Sequence, residues 1–254
     1  MANYHMSVMN ISRGKGASIT DRASYIGGLK LYDAYEGKTC CHERSDVEYF
    51  KVYLPYGAPA AFNNPQVFCE EVDRAEKRRD SRTAREFVGS LPNELDKGEL
   101  IRIVDQFVIP NFSRYGIPVM VAIHEGRNPE NPEKNNPHVH ILAATRRLEP
   151  SGFVQKKDRT RDSKQFIYLV RERWAKVQNL AYERNCLPCR VDHRSNRDRG
   201  INKEPLTRLS YPDWEREKHG EHTLAGDQNR AVKQRNEERE RQERDREPGL
   251  SRFR

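Results

Sequence analysis

Long apolar runs are absent from this chain of 254 residues, and no stretch approaches the length that a membrane-spanning helix needs. The first residues, Met1 to Met9, also lack the basic segment followed by an apolar one that marks a secretory signal. Both absences argue against a secreted or membrane-spanning protein. We therefore expect a cytoplasmic protein.

Cysteine is scarce as well. The five cysteines are an odd number, and in a cytoplasmic protein we expect reduced thiols rather than a disulfide framework. Cys186 and Cys189 have the spacing of half a zinc site, but the adjacent Cys40 and Cys41 make a poor second half, since neighbouring cysteines rarely ligate one tetrahedral ion. Free thiols in a loop are therefore the favoured interpretation of Cys186 and Cys189.

Positive charge, in contrast, is in excess. The chain has 46 Lys and Arg against 38 Asp and Glu, a net charge of +8, and only 35% of its residues are hydrophobic. So polar a composition indicates that part of the chain is not buried in a core. The excess charge favours polyanions such as nucleic acid, through phosphate contacts and counterion release, with an ordinary soluble surface as the alternative.

The composition changes sharply after residue 211. The segment 234–247 is almost wholly Arg, Glu, Asp, Gln and Asn, which is typical of a solvated helix or a disordered tail. We therefore predict one domain over residues 1–211 and a charged helical or disordered tail over residues 212–254.

Hydrophobic periodicity predicts both strands and helices in the first part of the chain. Apolar and alternating segments predict strands at 4–11, 49–54, 118–124 and 137–145. Helical spacing predicts helices at 20–31, 65–90, 97–112 and 163–185. The segment 125–136 is rich in turn residues, so the strands on either side of it would most simply pair antiparallel.

The most informative pattern is a pair of histidines in one predicted strand. Side chains alternate along a strand, so His138 and His140 point to the same face, and antiparallel pairing would bring His124 near them. Three imidazoles form a site for a divalent metal that leaves positions open for water or substrate oxygens. Exposed surface histidines are the alternative, but three of the eight histidines fall within this short region.

A metal in a basic protein can polarise a phosphate oxygen, and the reaction then needs a nucleophile. Water would give a simple nuclease. Tyrosine would form a phosphotyrosine bond that preserves the phosphodiester energy for rejoining, although a free tyrosine has a pKa of about 10 and needs help to lose its proton. Tyr25, on a short predicted helix beside the basic turn from Arg13 to Lys15, is the leading candidate, with a core or interface aromatic as the alternative.

Several blocks, in order, resemble the MobA/MobL family of plasmid mobilisation relaxases, within the His-hydrophobe-His endonuclease group. The similarity runs from Met1 to about Ser210. Residues 4–33 are similar to the family's N-terminal strand and tyrosine helix, and residues 75–95 are similar to its charged helix. Residues 121–126 and 135–142 are similar to its two metal-site strands, and residues 190–195 are similar to its C-terminal basic motif.

The resemblance implies an α+β fold, an antiparallel sheet with helices packed on it, and a bacterial relaxase that nicks one DNA strand at an origin of transfer. Tyr25 matches the nucleophile, which would remain joined to the 5′ phosphate and leave a free 3′ hydroxyl. His124, His138 and His140 match the ligands of a divalent metal, which we expect to be Mn or Mg. The expected partners are origin DNA, accessory mobilisation proteins and a type IV secretion coupling protein.

The same resemblance covers Glu86 and the C-terminal motif, and the basic turn adds two further candidates. Glu86 aligns with an acidic position of the charged helix, as a base or as the partner that orients a ligand histidine, with an ordinary helix-surface glutamate as the alternative. Arg13 and Lys15 of the basic turn, and His193 and Arg194 of the C-terminal motif, are the candidate DNA contacts, although core contacts would explain the latter two equally.

One segment departs from the family pattern, and two other functions compete with the relaxase. After Tyr25 the chain reads Ile26-Gly27-Gly28, and each glycine weakens a helix by roughly 1 kcal/mol relative to alanine. A rolling-circle replication initiator would use the same histidines with Tyr168 as its nucleophile. A non-catalytic DNA-binding protein would use the histidines for structure only.

Overall fold

Antiparallel strands form the centre of the fold. The computed structural model describes residues 4–128, 131, 135–157 and 159–246. Its strands are β1 (Met6–Ser12), β2 (Lys30–Asp33), β3 (Lys38–Cys41), β4 (Val47–Tyr53), β5 (Arg82–Ser90), β6 (Val119–His124), β7 (His138–Ala144), β8 (Leu148–Glu149) and β9 (Gly152–Phe153). Five of them form one antiparallel sheet in the order β1-β5-β7-β6-β4, and β2 with β3 and β8 with β9 form two small hairpins.

Helices cover both faces of this sheet: α1 (Ile19–Gly27) and α2 (Pro65–Ala75) pack on one face, and α3 (Lys97–Asn111) and α4 (Lys164–Arg184) pack on the other. The helices α5 (Tyr211–Lys218) and α6 (Leu224–Arg246) follow later in the chain. Single turns of 3-10 helix lie at Arg13–Lys15, Ala60–Asn63, Ser113–Tyr115 and Thr160–Asp162. Within the described part of the chain, no helix combines the length and the apolar character needed to span a membrane.

The alternation of side chains gives the sheet two different faces. Val139 and Ile141 of β7 point to one face, where Phe107 of α3 and Trp174 of α4 pack on them. Leu142 points to the opposite face, which α1 and α2 cover. By the same alternation the two histidines of β7 lie on the side of α1, and α4 lies on the other side.

The prediction of an α+β fold with helices packed on an antiparallel sheet is confirmed. The predicted pairing of the two metal-site strands is confirmed too, since β6 and β7 are antiparallel neighbours and His124 lies directly opposite His138. Their connection closes just beyond this pair, where the Asn136 amide donates to the Gly126 carbonyl at 2.9 Å. Parts of the turn-rich connection, residues 129–130 and 132–134, lie outside the described residues.

The predicted helix over residues 65–90 is correct only for α2, because its last third forms β5. The charges of Arg85 and Glu86 favoured a solvated helix, but both side chains are buried in the sheet. Arg85 pairs with Asp162 at 2.8 Å and Glu86 pairs with Arg22 at 2.7 Å. These partners are distant in sequence, so local periodicity carries no sign of them.

α1 ends earlier than the helix predicted over residues 20–31. Gly28 follows it with φ 63°, a left-handed conformation that favours glycine and terminates a helix. A Cβ on Gly27 would lie 2.8 Å from the Phe50 ring, so only glycine lets the helix end approach the sheet so closely. The β2–β3 hairpin, which the sequence analysis missed, begins directly after this turn.

The chain separates into two compact units after His193. The first unit contains the sheet and α1 to α4, and the second contains α5 and α6. The charged segment predicted as a solvated helix or a disordered tail is α6 up to Arg246, and residues 247–254 lie outside the described residues. The functional division at residue 211 stays a prediction.

Candidate active site

The three histidines of β6 and β7 form one cluster, which we call the histidine cluster. His124 and His138 are cross-strand partners, and His140 lies two residues further along the same face. The ring centroids of His124 and His140 are 4.5 Å apart, and those of His138 lie 5.2 and 5.1 Å from the two. One nitrogen from each ring lies within 4.8 Å of the others, which is a separation that a single cation can bridge.

Each ring of the cluster donates through one nitrogen and leaves the other available. The partner atoms are carbonyl or carboxylate oxygens, which can only accept, so in each hydrogen bond the histidine nitrogen donates. His124 donates from Nε2 to the Ile26 carbonyl at 2.7 Å, and His138 donates from Nδ1 to the Asn136 carbonyl at 2.8 Å. His140 donates from Nδ1 to a carboxylate oxygen of Glu86 at 2.7 Å. His124 Nδ1 and His140 Nε2 are buried and have no hydrogen-bond partner among the described residues. Buried lone pairs of this kind fit a bound divalent cation, and the second hydrogen bond of each ring fixes its orientation.

Burial keeps two of the rings in the form that binds metal. It lowers the pKa of His124 to about 4 and also lowers the pKa of His138, because a charged imidazolium is poorly solvated inside the protein. Neutral imidazole is the ligand form, so these two rings are ready to coordinate a metal at neutral pH.

Glu86 lies beneath the cluster in the middle of β5 and is fully buried. Its carboxylate accepts from His140 on one side and from Arg22 Nε and Nη2 on the other, each at 2.7 Å. Burial alone would raise the pKa of Glu86, but the hydrogen bonds from His140 and Arg22 outweigh it and lower the pKa. The carboxylate is therefore ionised and links a residue of α1 to a residue of the histidine cluster.

Tyr25 lies on α1 next to the cluster. Its ring centroid is 6.3 Å from that of His140, with the rings nearly perpendicular. The helix is held in place at both ends, because the Ser18 side chain caps its first turn and the Ile26 carbonyl accepts from His124. Tyr25 is half-buried, so its ring faces both the cluster and solvent.

Four side chains around Tyr25 were missed by the sequence analysis. The guanidinium carbons of Arg22 and Arg44 lie 4.5 and 4.6 Å from the centre of the Tyr25 ring. The His42 ring approaches it edge-on at 5.7 Å, and His42 Nε2 is 3.0 Å from Asp21 Oδ1. Arg22 and Asp21 share a helix with Tyr25, so their spacing could have indicated them, but no local signal points to Arg44 or His42.

Arg44 is itself held by a carboxylate. Its Nε and Nη2 donate to the two oxygens of Asp46 at 2.8 and 2.6 Å. The hydrogen bonds to Asp46 raise the pKa of Arg44, and a hydrogen bond with the Tyr25 side chain adds to this effect. The Asp46 carbonyl in turn accepts from the amide of Glu125, the residue that follows His124.

The candidate DNA contacts have different surroundings. The Arg13 guanidinium is paired with Asp73 at 2.6 Å and lies 3.9 Å from the centre of the Tyr35 ring, so it also ties the basic turn to α2. Lys15 is exposed. His193 is half-buried against Tyr168, with ring centroids 5.1 Å apart.

Arg194 is exposed and begins the second unit. Cys186 and Cys189 form no disulfide bond. Among the described residues, the histidine cluster is the group of side chains that could hold a metal.

A basic cleft opens at the other end of β7 from the histidine cluster. It has a volume of about 1750 Å³ and is formed by the start of β5, residues 145–147 after β7, and described residues between 154 and 162. Ten of its described lining residues are Lys or Arg and three are Asp or Glu, and Phe112, Tyr115 and Phe166 contribute aromatic surface. Positive charge combined with aromatic side chains is typical of surfaces that bind single-stranded nucleic acid.

Comparison with known proteins gives a consistent result. The sequence profile of the MobA/MobL family matches residues 17–219. The probable mobilization protein MobA of Bifidobacterium longum is 29% identical over an alignment that covers 83% of this chain and 44% of that protein. The mobilization protein MobL of Acidithiobacillus ferridurans is 29% identical, with 82% of this chain and 62% of that protein covered. The chain therefore spans about half the length of these curated relatives.

A solved structure that concerns the molecular basis of vancomycin resistance transfer in Staphylococcus aureus has a similar fold. The TM-score is 0.68 at 27% sequence identity, and the match covers 76% of this chain and 100% of that one. The region matched in sequence and in structure therefore includes most of the first unit.

Proposed function

Because the chain belongs to the MobA/MobL family, we propose that it is a relaxase, an enzyme that nicks one strand of plasmid DNA at an origin of transfer. The observation that carries the proposal is the position of the Tyr25 ring, 6.3 Å from that of His140 and next to two buried, unpartnered imidazole nitrogens. A nucleophile and a cation site in such proximity are what phosphodiester transesterification requires.

In this proposal His124, His138 and His140 hold a divalent metal, Mn or Mg. The chemistry that such an ion supplies is polarisation of the scissile phosphate oxygens. The residues themselves contribute orientation, because each imidazole is fixed by a hydrogen bond through its other nitrogen.

Tyr25 then acts as the nucleophile. A bond forms between its phenolic oxygen and the scissile phosphorus while the bond from phosphorus to the 3′ oxygen breaks. The phenol loses a proton and the departing 3′ oxygen gains one, so the products are a 5′ phosphotyrosine and a free 3′ hydroxyl. No phosphodiester energy is lost to water, and the strand can later be rejoined.

Of the two roles predicted for Glu86, the orientation of His140 has the better support. Both carboxylate oxygens already accept hydrogen bonds, from His140 and Arg22, and the side chain is fully buried. A general base needs an oxygen within reach of the phenol proton. We therefore propose that Glu86 fixes the tautomer and the direction of the His140 ring.

Binding of the DNA strand would need positively charged side chains in addition to the residues around Tyr25. The basic cleft is the surface that we propose for this binding. The net charge of +8, the exposed Lys15 and the aromatic side chains of the cleft are consistent with a single-stranded polyanion as substrate. Accessory mobilisation proteins and a type IV secretion coupling protein are the partners that this function would require.

The proposal is tested with the full chain, Mn²⁺ or Mg²⁺, and a supercoiled plasmid that carries the DNA flanking the gene. We expect a nicked plasmid with protein attached to the 5′ end, and Tyr25 as the residue in the peptide that stays linked to the DNA. Tyr25→Phe should abolish this attachment, because it removes the phenolic oxygen and leaves the ring.

Tyr168→Phe is the matched control. Tyr168 is exposed on α4, on the face of the sheet opposite the histidine cluster, so its loss should leave attachment unchanged. Attachment that is lost in Tyr168→Phe but kept in Tyr25→Phe would favour a replication initiator. A plasmid that is bound but stays closed with wild-type protein would favour a non-catalytic DNA-binding protein.

A further inference from the structure

Two arginines hold the Tyr25 ring. The guanidinium carbons of Arg22 and Arg44 lie 4.5 and 4.6 Å from the ring centre, within the range of a cation–π contact. Arg22 comes from the same helix as Tyr25, whereas Arg44 comes from the segment between β3 and β4. The ring is therefore contacted by positive charge from two separate parts of the chain.

Each guanidinium is fixed in turn by a carboxylate that accepts from two of its nitrogens. Glu86 accepts from Arg22 at 2.7 and 2.7 Å, and Asp46 accepts from Arg44 at 2.8 and 2.6 Å. Paired hydrogen bonds of this kind define the plane and position of a guanidinium. They also neutralise its charge, so neither arginine is well suited to bind a DNA phosphate.

The two carboxylates connect the arginines to the histidine cluster. Glu86 accepts from His140 as well as from Arg22, and the Asp46 carbonyl accepts from the amide that follows His124. The position of the phenol is thus defined by the same groups that define the positions of the imidazoles. A half-buried tyrosine near the end of a short helix would otherwise be free to change its side-chain rotamer toward solvent.

We propose that Arg22 and Arg44 are positioning residues, which clamp the Tyr25 ring beside the histidine cluster. This inference rests on the proposed role of Tyr25 as the nucleophile. The arginines act through Tyr25 rather than on the DNA, so they set the rate of strand cleavage and not the affinity for the strand.

The test measures single-turnover cleavage by the full chain, with Arg44→Gln as the first variant. We expect the rate constant at saturating DNA to fall about tenfold, the effect of losing one cation–π contact and the orientation it provides. The DNA concentration at half-saturation and its dependence on salt should not change. Arg44→Lys keeps a charge over the ring but loses the two-pronged pairing with Asp46, so its rate should lie between those of wild type and Arg44→Gln.

Arg184→Gln is the matched control. Arg184 is also a partly buried arginine paired with a glutamate, Glu99 at 2.8 Å, but it lies on α4 on the opposite face of the sheet. Its loss should leave the cleavage rate unchanged, which separates the clamp from a general effect of breaking an ion pair.

A second readout needs no DNA. In protein labelled with 3-fluorotyrosine, the Tyr25 resonance is assigned by its absence in Tyr25→Phe, and it should shift and narrow in Arg44→Gln but not in Arg184→Gln. An unchanged Tyr25 resonance would overturn the inference. A second result would also overturn it: a higher half-saturating DNA concentration, together with a slope of log affinity against log salt concentration that is smaller by about one. That combination is expected when a contact to a DNA phosphate is lost. Wild-type protein that forms no DNA adduct would refute the function of Tyr25, while the fluorine spectrum would still report on the clamp.

Discussion

Replacing Glu86 with glutamine should weaken metal binding by the histidine cluster about 10- to 100-fold. Glu86 Oε1 accepts from both His140 Nδ1 and Arg22 Nη2, and Oε2 accepts from Arg22 Nε. An amide has one oxygen and one NH₂ group, so one of these two positions must present a donor in place of an acceptor. If the NH₂ group faces His140, the ring must accept at Nδ1 and carry its proton on Nε2, which removes the lone pair that the cluster offers to a cation.

The magnitude follows from the partners and their burial. A 10- to 100-fold loss of affinity corresponds to about 1.4 to 2.7 kcal/mol of binding free energy. Stability should fall as well, because the Arg22 charge loses its carboxylate. That side chain is 24% exposed, so water can solvate it in part, and we expect a cost of about 1 to 3 kcal/mol rather than the 3 to 5 kcal/mol of a fully buried pair.

The assay is a calorimetric titration of the full chain with Mn²⁺, together with urea unfolding of the same protein without metal. Glu76→Gln is the matched control. Glu76 is equally buried and also has two basic partners, Arg146 at 2.7 Å and Lys157 at 2.8 Å, but these lie at the basic cleft. The control should lose stability and keep the metal affinity of wild type.

Two results would refute this reasoning. Mn²⁺ affinity of Glu86→Gln within a factor of two of wild type would mean that the carboxylate does not set the state of the His140 ring. An equal loss of affinity in Glu86→Gln and in Glu76→Gln would mean that the histidine cluster responds to global stability rather than to its own hydrogen bond.

Three further predictions concern stability, measured as the free energy of unfolding in urea. A Cβ on Gly89 would lie 2.7 Å from the rigid Trp174 ring, so Gly89→Ala should destabilise the protein by about 1 to 3 kcal/mol. An unchanged midpoint of urea unfolding would contradict the packing of α4 on β5. Gly28→Ala should cost about 1 to 2 kcal/mol because alanine is strained at φ 63°, and a neutral result would place the end of α1 elsewhere. Burial alone would raise the pKa of Glu76, but hydrogen bonds from Arg146 and Lys157 outweigh burial and lower the pKa. Ionisation of Glu76 therefore stabilises the fold above the unfolded-state pKa of about 4.3. This stabilisation is lost as the pH falls below that value. The stability difference between wild type and Glu76→Gln should therefore be constant near neutral pH and shrink below about pH 4.5, and a difference that stays constant down to pH 3 would contradict the ion pairs.

Sequence alone was sufficient for the parts of the molecule that depend on local patterns. Alternating apolar residues identified β6 and β7, and the turn-rich connection predicted their pairing, which brought His124, His138 and His140 together. The helices α3 and α4 follow from apolar residues at helical spacing. These features need no knowledge of distant contacts.

The errors occurred where distant contacts override local pattern. Arg85 and Glu86 gave β5 the composition of a solvated helix, yet β5 is an interior strand of the sheet. Its charges are neutralised by residues more than sixty positions away in the sequence. Arg44 approaches Tyr25 because the segment between β3 and β4 lies next to α1. No sequence motif predicts this arrangement. The end of α1 was placed too late because a single glycine conformation decides it.

The hydrogen bond between Asn136 and Gly126 closes the connection between β6 and β7 just beyond the facing histidines. His124 and His138 lie opposite each other inside this closure. A change of loop length would thus be absorbed outside the closure, while the register of β6 and β7 is kept. The connection is accordingly a suitable place to insert an epitope or a fluorescent reporter.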